Sequence, residues 1–407
     1  MKKFNIPEYY KSSVISRLKK YRREKDPRKK DFSPSVLDFG PIRIYLARHF
    51  GFCYGVENAI EISYRALEEK PGKQIYLLSQ MIHNPNVNRD LQEHGIRFIM
   101  DTEGNKFVEW EELKATDIVI IPAFGTTIET EQKLKDIGIE VHRYNTTCPF
   151  VERVWNRTEQ LGEESYSVII HGKHNHEETR ATFSHSKKNT PSIIVKDMAE
   201  TKYLVDYIAG NMEKEEFMTL FEGKFSEGFD PDTHLNKVGV VNQTTMLATE
   251  TTEIANCIKE AMQKKFGEED LTEHFADTRD TLCYATNDNQ QATYSLLNSS
   301  ADFAIVVGGY NSSNTSHIVE LCEEKLPTYY ISTANEILAR NIIRHYDHHN
   351  NSMVTSKDFL PKKDKVDIIL TSGASCPDAT VEEVLQTLLS FYSDVKSMED
   401  VLAELRG

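Results

Sequence analysis

The 407-residue chain has no apolar run approaching the roughly 18 residues that a membrane-spanning helix needs, which excludes an integral membrane protein of the helical kind. Its first residues lack the apolar core of a secretory signal, so the cytoplasm is the expected compartment. Cysteine is scarce, at six residues, and no two stand at the C-x-x-C spacing of a zinc ribbon or a thioredoxin site. So few in so long a chain point to reduced thiols and not to a disulfide framework. What is present fits a soluble globular chain of two or three domains: 39% hydrophobic and 27% charged residues.

Charge is unevenly spread. Residues 1–30 hold twelve Lys or Arg against Glu8, Glu24 and Asp26, a net of +9; the whole chain carries −15, leaving −24 for the remainder. An acidic body of this kind argues against general nucleic-acid binding. The basic arm, with Lys19-Lys20-Tyr21-Arg22-Arg23 and Arg28-Lys29-Lys30, suits an RNA or an acidic partner, or simply a solvated extension lying loosely on the body. The last is the expected state.

Along the rest of the chain one arrangement recurs: a short β-rich run, a polar or glycine-containing loop, then helical spacing of apolar residues. Ile42, Ile44 and Leu46 lead into Cys53; the runs 75–78, 118–121, 168–170, 238–241, 303–308 and 368–370 lead into loops rich in His, Asn, Ser, Thr and Gly. This predicts an α/β fold with mostly parallel strands, whose ligands bind beyond the carboxyl ends of the strands. Residues near 210–237 read as an insertion between two strands.

Three cysteines sit in loops with turn-forming neighbours: Gly-Phe-Cys53-Tyr-Gly, Thr-Thr-Cys148-Pro and Leu-Cys283-Tyr-Ala-Thr, spaced 95 and 135 residues apart. Three thiolates could hold an iron–sulfur cluster and leave one iron open to substrate. Spacing alone leaves ligation and simple burial equally open. Cys257 and Cys322 fall on apolar helical positions and read as buried residues, and Cys376 is an ambiguous fourth ligand. Asn311-Ser312-Ser313-Asn314 before a helix suits a phosphate, or serves as a plain N-cap. Ser375 in Gly373-Ala-Ser offers another hydroxyl. His176 and Glu178 stand two apart in a loop with His171, Lys173 and His174, either a proton source or a solvated charge run. His83 and Gln243-Thr244-Thr245 are ligand contacts or turn and cap residues.

Taken in order, Gly-Phe-Cys53-x-Gly-Val, His83-Asn84, Thr147-Cys148-Pro149, His176-x-Glu178, Gln243-Thr244-Thr245, Cys283-Tyr-Ala-Thr, Asn311-Ser-Ser-Asn314 and Gly373-Ala-Ser375-x-Pro-Asp resemble the 4-hydroxy-3-methylbut-2-enyl diphosphate reductases, which act last in the non-mevalonate isoprenoid pathway. The resemblance covers about residues 42–390, and the arm and the insertion are similar to the longer plant and cyanobacterial branch. It implies a trefoil of three α/β units around a [4Fe–4S] cluster, here residues 42–147, 148–280 and 281–390, flanked by the extension 1–41 and a tail 391–407. It implies Cys53, Cys148 and Cys283 as iron ligands with the fourth iron open to an allylic diphosphate, and Glu178 as the proton donor. His176 and Thr244 would share its hydrogen-bond relay. His83, Ser312, Ser313, Asn314 and Ser375 would bind the diphosphate. A ferredoxin or flavodoxin is the implied electron donor, and a plastid the location only if the arm belongs to a plant-type precursor. One departure stands out: Phe124 replaces a family histidine in Ala123-Phe-Gly125. Two rivals remain, an iron–sulfur or RNA-associated regulator without turnover and a zinc hydrolase.

Overall fold

The computed structural model of the chain describes residues 4–70, 72–276, 278 and 281–405. Its backbone divides into two compact units, Met1–Glu61 with Ile82–Arg89 and Tyr284–Gly407, and Ile62–Met81 with Asp90–Cys283. No helix among the described residues is long and apolar enough to cross a membrane.

The first unit is built on a five-stranded sheet in the order Ser35–Asp38, Ile42–Leu46, Val366–Ser372, Phe303–Val307, Thr328–Ile331. The first pair is antiparallel and every other pair parallel. All seven residues of Val366–Ser372 and all five of Phe303–Val307 are buried, the mark of parallel strands covered on both faces. A separate antiparallel ribbon joins Ile337–Ala339, Ile342–Asp347 and Ser352–Lys357. Its last strand is almost wholly exposed, so it carries no apolar pattern and escapes a reading based on hydrophobic periodicity.

The basic arm departs from expectation. Ser12 caps the helix Ser13–Lys25 by accepting from the Ile15 N–H at 2.8 Å, and Ile15 and Leu18 are buried. Lys19 Nζ reaches Asp378 Oδ1 at 2.7 Å and the Phe50 carbonyl at 2.9 Å, and Arg17 forks onto Glu399. A thin apolar stripe plus acidic partners some 360–380 residues away along the chain replace the loose, solvated extension with a packed one.

The second unit holds two parallel sheets, in the orders Ile96–Phe98, Ile75–Leu77, Ile118–Ile120 and Ser192–Val195, Ser167–His171, Val238–Asn242, Phe275–Ala276. Gly239 is required here, because a Cβ would stand 2.7 Å from Leu161 of the helix Pro149–Glu163. The segment near 210–237 forms the helices Lys214–Leu220 and Pro231–His234, and its Phe217, Phe221, Phe229 and Leu235 bury in one cluster with Ile169, Ile193 and Ile254. All seven β-rich runs are strands, and the fold is α/β with mostly parallel sheets, as expected.

Candidate active site

In the first unit the strand Phe303–Val307 ends at Gly308-Gly309 and turns into the helix Ser313–Glu323. A Cβ on Gly309 would run into the His83 carbonyl, so only glycine lets these two backbones meet. Ser312 is the N-cap, its Oγ accepting from the Thr315 N–H at 3.3 Å. That role does not extend to Ser313, whose Oγ is buried and has no hydrogen-bond partner among the described residues. The Asn314 Oδ1 accepts from the Ala374 N–H at 3.0 Å and from Asn289 Nδ2 at 3.3 Å. The 373–375 loop is tied down on every side: Ser375 Oγ donates to the His83 carbonyl at 3.2 Å, Asn84 Nδ2 donates to the Ser375 carbonyl at 2.8 Å, and the Cys53 N–H donates to the Ala374 carbonyl at 3.2 Å. His83, Ser312, Ser313, Asn314 and Ser375 are thus brought together, each less than 8% exposed, with Cys53 next to them.

Cys53 also lines a cavity of about 310 Å³ walled by Lys19, Lys29, Arg48, His49 and Tyr284. Sequence reasoning missed Asn289, which fixes Asn314. The signal was there: Thr286, Asn289, Gln290 and Thr293 are buried polar residues at helical spacing in Tyr284–Leu296, a stripe that would be apolar if it faced only a core.

The second unit gathers the remaining residues. Cys148 stands at the N-cap of Pro149–Glu163, with Pro149 preset for the first helical turn, and its N–H donates to the Ala123 carbonyl at 3.0 Å. The Cys283 N–H donates to the Thr244 carbonyl at 3.1 Å. Thr244 in turn holds Glu178 by two bonds, N–H to Oε1 at 2.5 Å and Oγ1–H to Oε2 at 3.0 Å. His176 caps the helix Glu177–Asn189, its Nδ1 accepting from the Glu178 N–H at 3.2 Å. Phe124 packs edge-on against the His176 ring, centroids 5.7 Å apart at 80°.

Glu178 is 1% exposed. Burial pushes its carboxyl up to about 7, against the pull of the two Thr244 bonds. Burial also raises the Cys148 thiol to about 11, with the Cys283 and Glu178 charges adding to it. None of the six cysteines is in a disulfide. Cys322 is fully buried, as its apolar spacing suggested, and so is Cys376; Cys257 is half-buried on its helix and not the core residue its apolar spacing suggested.

A family model described as LytB protein matches residues 44–389. The chain is 40% identical over 359 residues to the 4-hydroxy-3-methylbut-2-enyl diphosphate reductase of Synechococcus sp. (strain WH7803), covering 88% of both chains. It is 39% identical over 356 residues to the protein of the same name from Trichodesmium erythraeum (strain IMS101), covering 87% of this chain and 86% of that one. Among solved structures, the fold is similar to that of the (E)-4-hydroxy-3-methyl-but-2-enyl diphosphate reductase described as the terminal enzyme of the non-mevalonate pathway, with a TM-score of 0.52 at 25% identity over 85% of this chain and 99% of that one. It is also similar to the E-1-hydroxy-2-methyl-but-2-enyl-4-diphosphate reductase from Plasmodium falciparum, with a TM-score of 0.61 at 21% identity over 89% of this chain and 98% of that one.

Proposed function

The chain belongs to the LytB family of 4-hydroxy-3-methylbut-2-enyl diphosphate reductases, and from that premise we propose that it reduces (E)-4-hydroxy-3-methylbut-2-enyl diphosphate to isopentenyl and dimethylallyl diphosphate. The reaction takes up two electrons and two protons and releases one water. Family membership carries with it an iron–sulfur cofactor. We assign its ligands to Cys53, Cys148 and Cys283, thiols outside any disulfide in strand-end loops, and its form to a [4Fe–4S] cluster with one iron open to substrate. When bound, the cluster supplies the Lewis acidity and the electrons that break the C–O bond, which no side chain can provide.

The chain's own residues do the rest. The observation that carries this reading is the buried Glu178 carboxyl, held by Thr244 and raised to about 7. A carboxyl of that pKa keeps its proton near neutrality and is matched to handing it to a departing hydroxyl. Thr244 fixes the direction in which the acid points, and His176, pinned by the Glu178 N–H and the Phe124 ring, shares the relay. His83, Ser312, Ser313, Asn314 and Ser375 bind the diphosphate. The Ser313 Oγ, without a partner among the described residues, stands at a helix N-terminus, and this favours an anion there.

An acidic electron donor such as ferredoxin or flavodoxin fits the exposed Lys20, Arg23, Lys25, Arg28 and Lys30 of the arm, whose Lys19 and Lys29 line the cavity beside Cys53. The cytoplasm is the proposed location, or a plastid if the arm belongs to a plant-type precursor. Protein purified without oxygen should be brown and hold about four irons per chain. A folded, active protein without iron would refute the assignment.

A further inference from the structure

A second group of metal-type ligands lies in the first unit, on residues that the reductase chemistry leaves unused. The turn joining Ile342–Asp347 to Ser352–Lys357 is fixed by Asp347, whose Oδ1 accepts from the N–H groups of His349 at 3.0 Å and Asn350 at 3.1 Å. Asn351 completes the turn in the left-handed region at φ 49°. This turn sets the His348 and His349 rings side by side, with centroids 3.9 Å apart.

Both rings approach the last turns of the helix Ser313–Glu323. His349 Nε2 is 2.9 Å from Glu323 Oε2; His348 Nε2 is 4.0 Å from that oxygen and 3.7 Å from Glu320 Oε1. One ligand atom each from Glu323, His348 and His349 lies within 4.8 Å of the others. A tetrahedral zinc with bonds of about 2.0–2.1 Å spaces its ligand atoms roughly 3.3 Å apart. The observed 2.9–4.0 Å brackets that value.

An ordinary ion pair accounts for His349 but not for His348. The His348 side chain is only 10% exposed, and neither ring nitrogen has a hydrogen-bond partner among the described residues. A buried imidazole with two bare nitrogens is costly unless something takes its lone pair. The neighbouring histidines are otherwise engaged, His345 with Ser356 and His317 with Glu320. The His317 Nδ1 bond to Glu320 Oε2, at 2.7 Å, aims the other oxygen of that carboxylate toward His348.

We propose that Glu323, His348 and His349 bind a divalent transition-metal ion, with zinc the best match to two imidazoles and a carboxylate, and that Glu320 is the fourth ligand. The ion would staple an exposed ribbon to the helix that begins at Ser312-Ser313-Asn314, a structural task separate from the iron–sulfur chemistry.

The test uses iron-loaded protein kept free of oxygen and titrated with zinc chloride by calorimetry. One zinc per chain should bind in addition to the iron. His348→Ala with His349→Ala should weaken it at least tenfold while iron content and turnover stay unchanged. His348→Gln, which keeps the ring's bulk in part and its polarity, should weaken it similarly and guards against misfolding of the double variant. X-ray absorption at the zinc edge should show nitrogen and oxygen neighbours at about 2.0–2.1 Å and no sulfur near about 2.3 Å. Unchanged zinc affinity in the variants, sulfur in the zinc shell, or no stoichiometric zinc in the wild type would overturn the proposal.

Discussion

The two loop clusters are built from similar parts and are polarised in opposite senses. In the first unit, hydroxyls and amides gather at a helix N-terminus, and the Ser313 Oγ is left without a partner among the described residues. In the second, a fully buried carboxyl lies in the same unit as two half-buried thiols, and desolvation drives both Glu178 and Cys148 toward their neutral forms. The difference teaches what each cluster is ready to receive. A donor-rich loop lowers the energy of an anion, whereas a buried acid stores a proton.

The sharpest way to break this contrast is Glu178→Gln. It keeps the shape and a hydrogen bond to Thr244 but removes the proton, so kcat should fall by about 10²–10⁴-fold. Iron content and substrate affinity should be preserved. Near-normal turnover would remove the acid from the scheme.

Ser313→Ala probes the other cluster. With no bond among the described residues to lose, the variant should keep its thermal stability, while KM rises about tenfold for loss of one hydrogen bond to a charged group. Ser312→Ala is the control, since it also removes the helix cap and should cost about 1 kcal/mol of stability. Equal stability losses in the two variants would mean that Ser313 is as structural as Ser312.

The smallest effect concerns pH. Because the folded-state pKa of Glu178 is raised, the acid form dominates below about 7 and is lost as pH rises through that value. Turnover should therefore decline on the alkaline side. Thr244→Val removes the Oγ1–H bond that favours the ionised carboxylate, so the declining limb should move to higher pH. A limb that stays in place would show that another group sets it.

Much of this was legible in the sequence, for identifiable reasons. Strands such as Phe303–Val307 and Val366–Ser372 are buried throughout and write themselves as apolar runs. The loops after them stand out because Gly, Ser, Asn and His crowd into short stretches. Local pattern fails where a residue's meaning depends on a distant partner. Lys19 looks like any solvated lysine until Asp378 is beside it, and Asn289 looks like a polar helix residue until Asn314 is. Only the fold brings Glu320 and Glu323 to His348 and His349. The near-complete burial of Glu178 is a property of packing that no spacing reveals.

The packed arm bears on how the protein is handled. Its charge and position invite trimming at residue 41, as one would remove a targeting leader before expression. That cut would take away Ile15 and Leu18 and leave the apolar bed beneath them wet. It would also strip Ser35–Asp38 from Ile42–Leu46, baring the edge of the five-stranded sheet to any other chain that can add a strand. A shortened preparation that precipitates would be reporting a missing piece of the body, not an unstable enzyme.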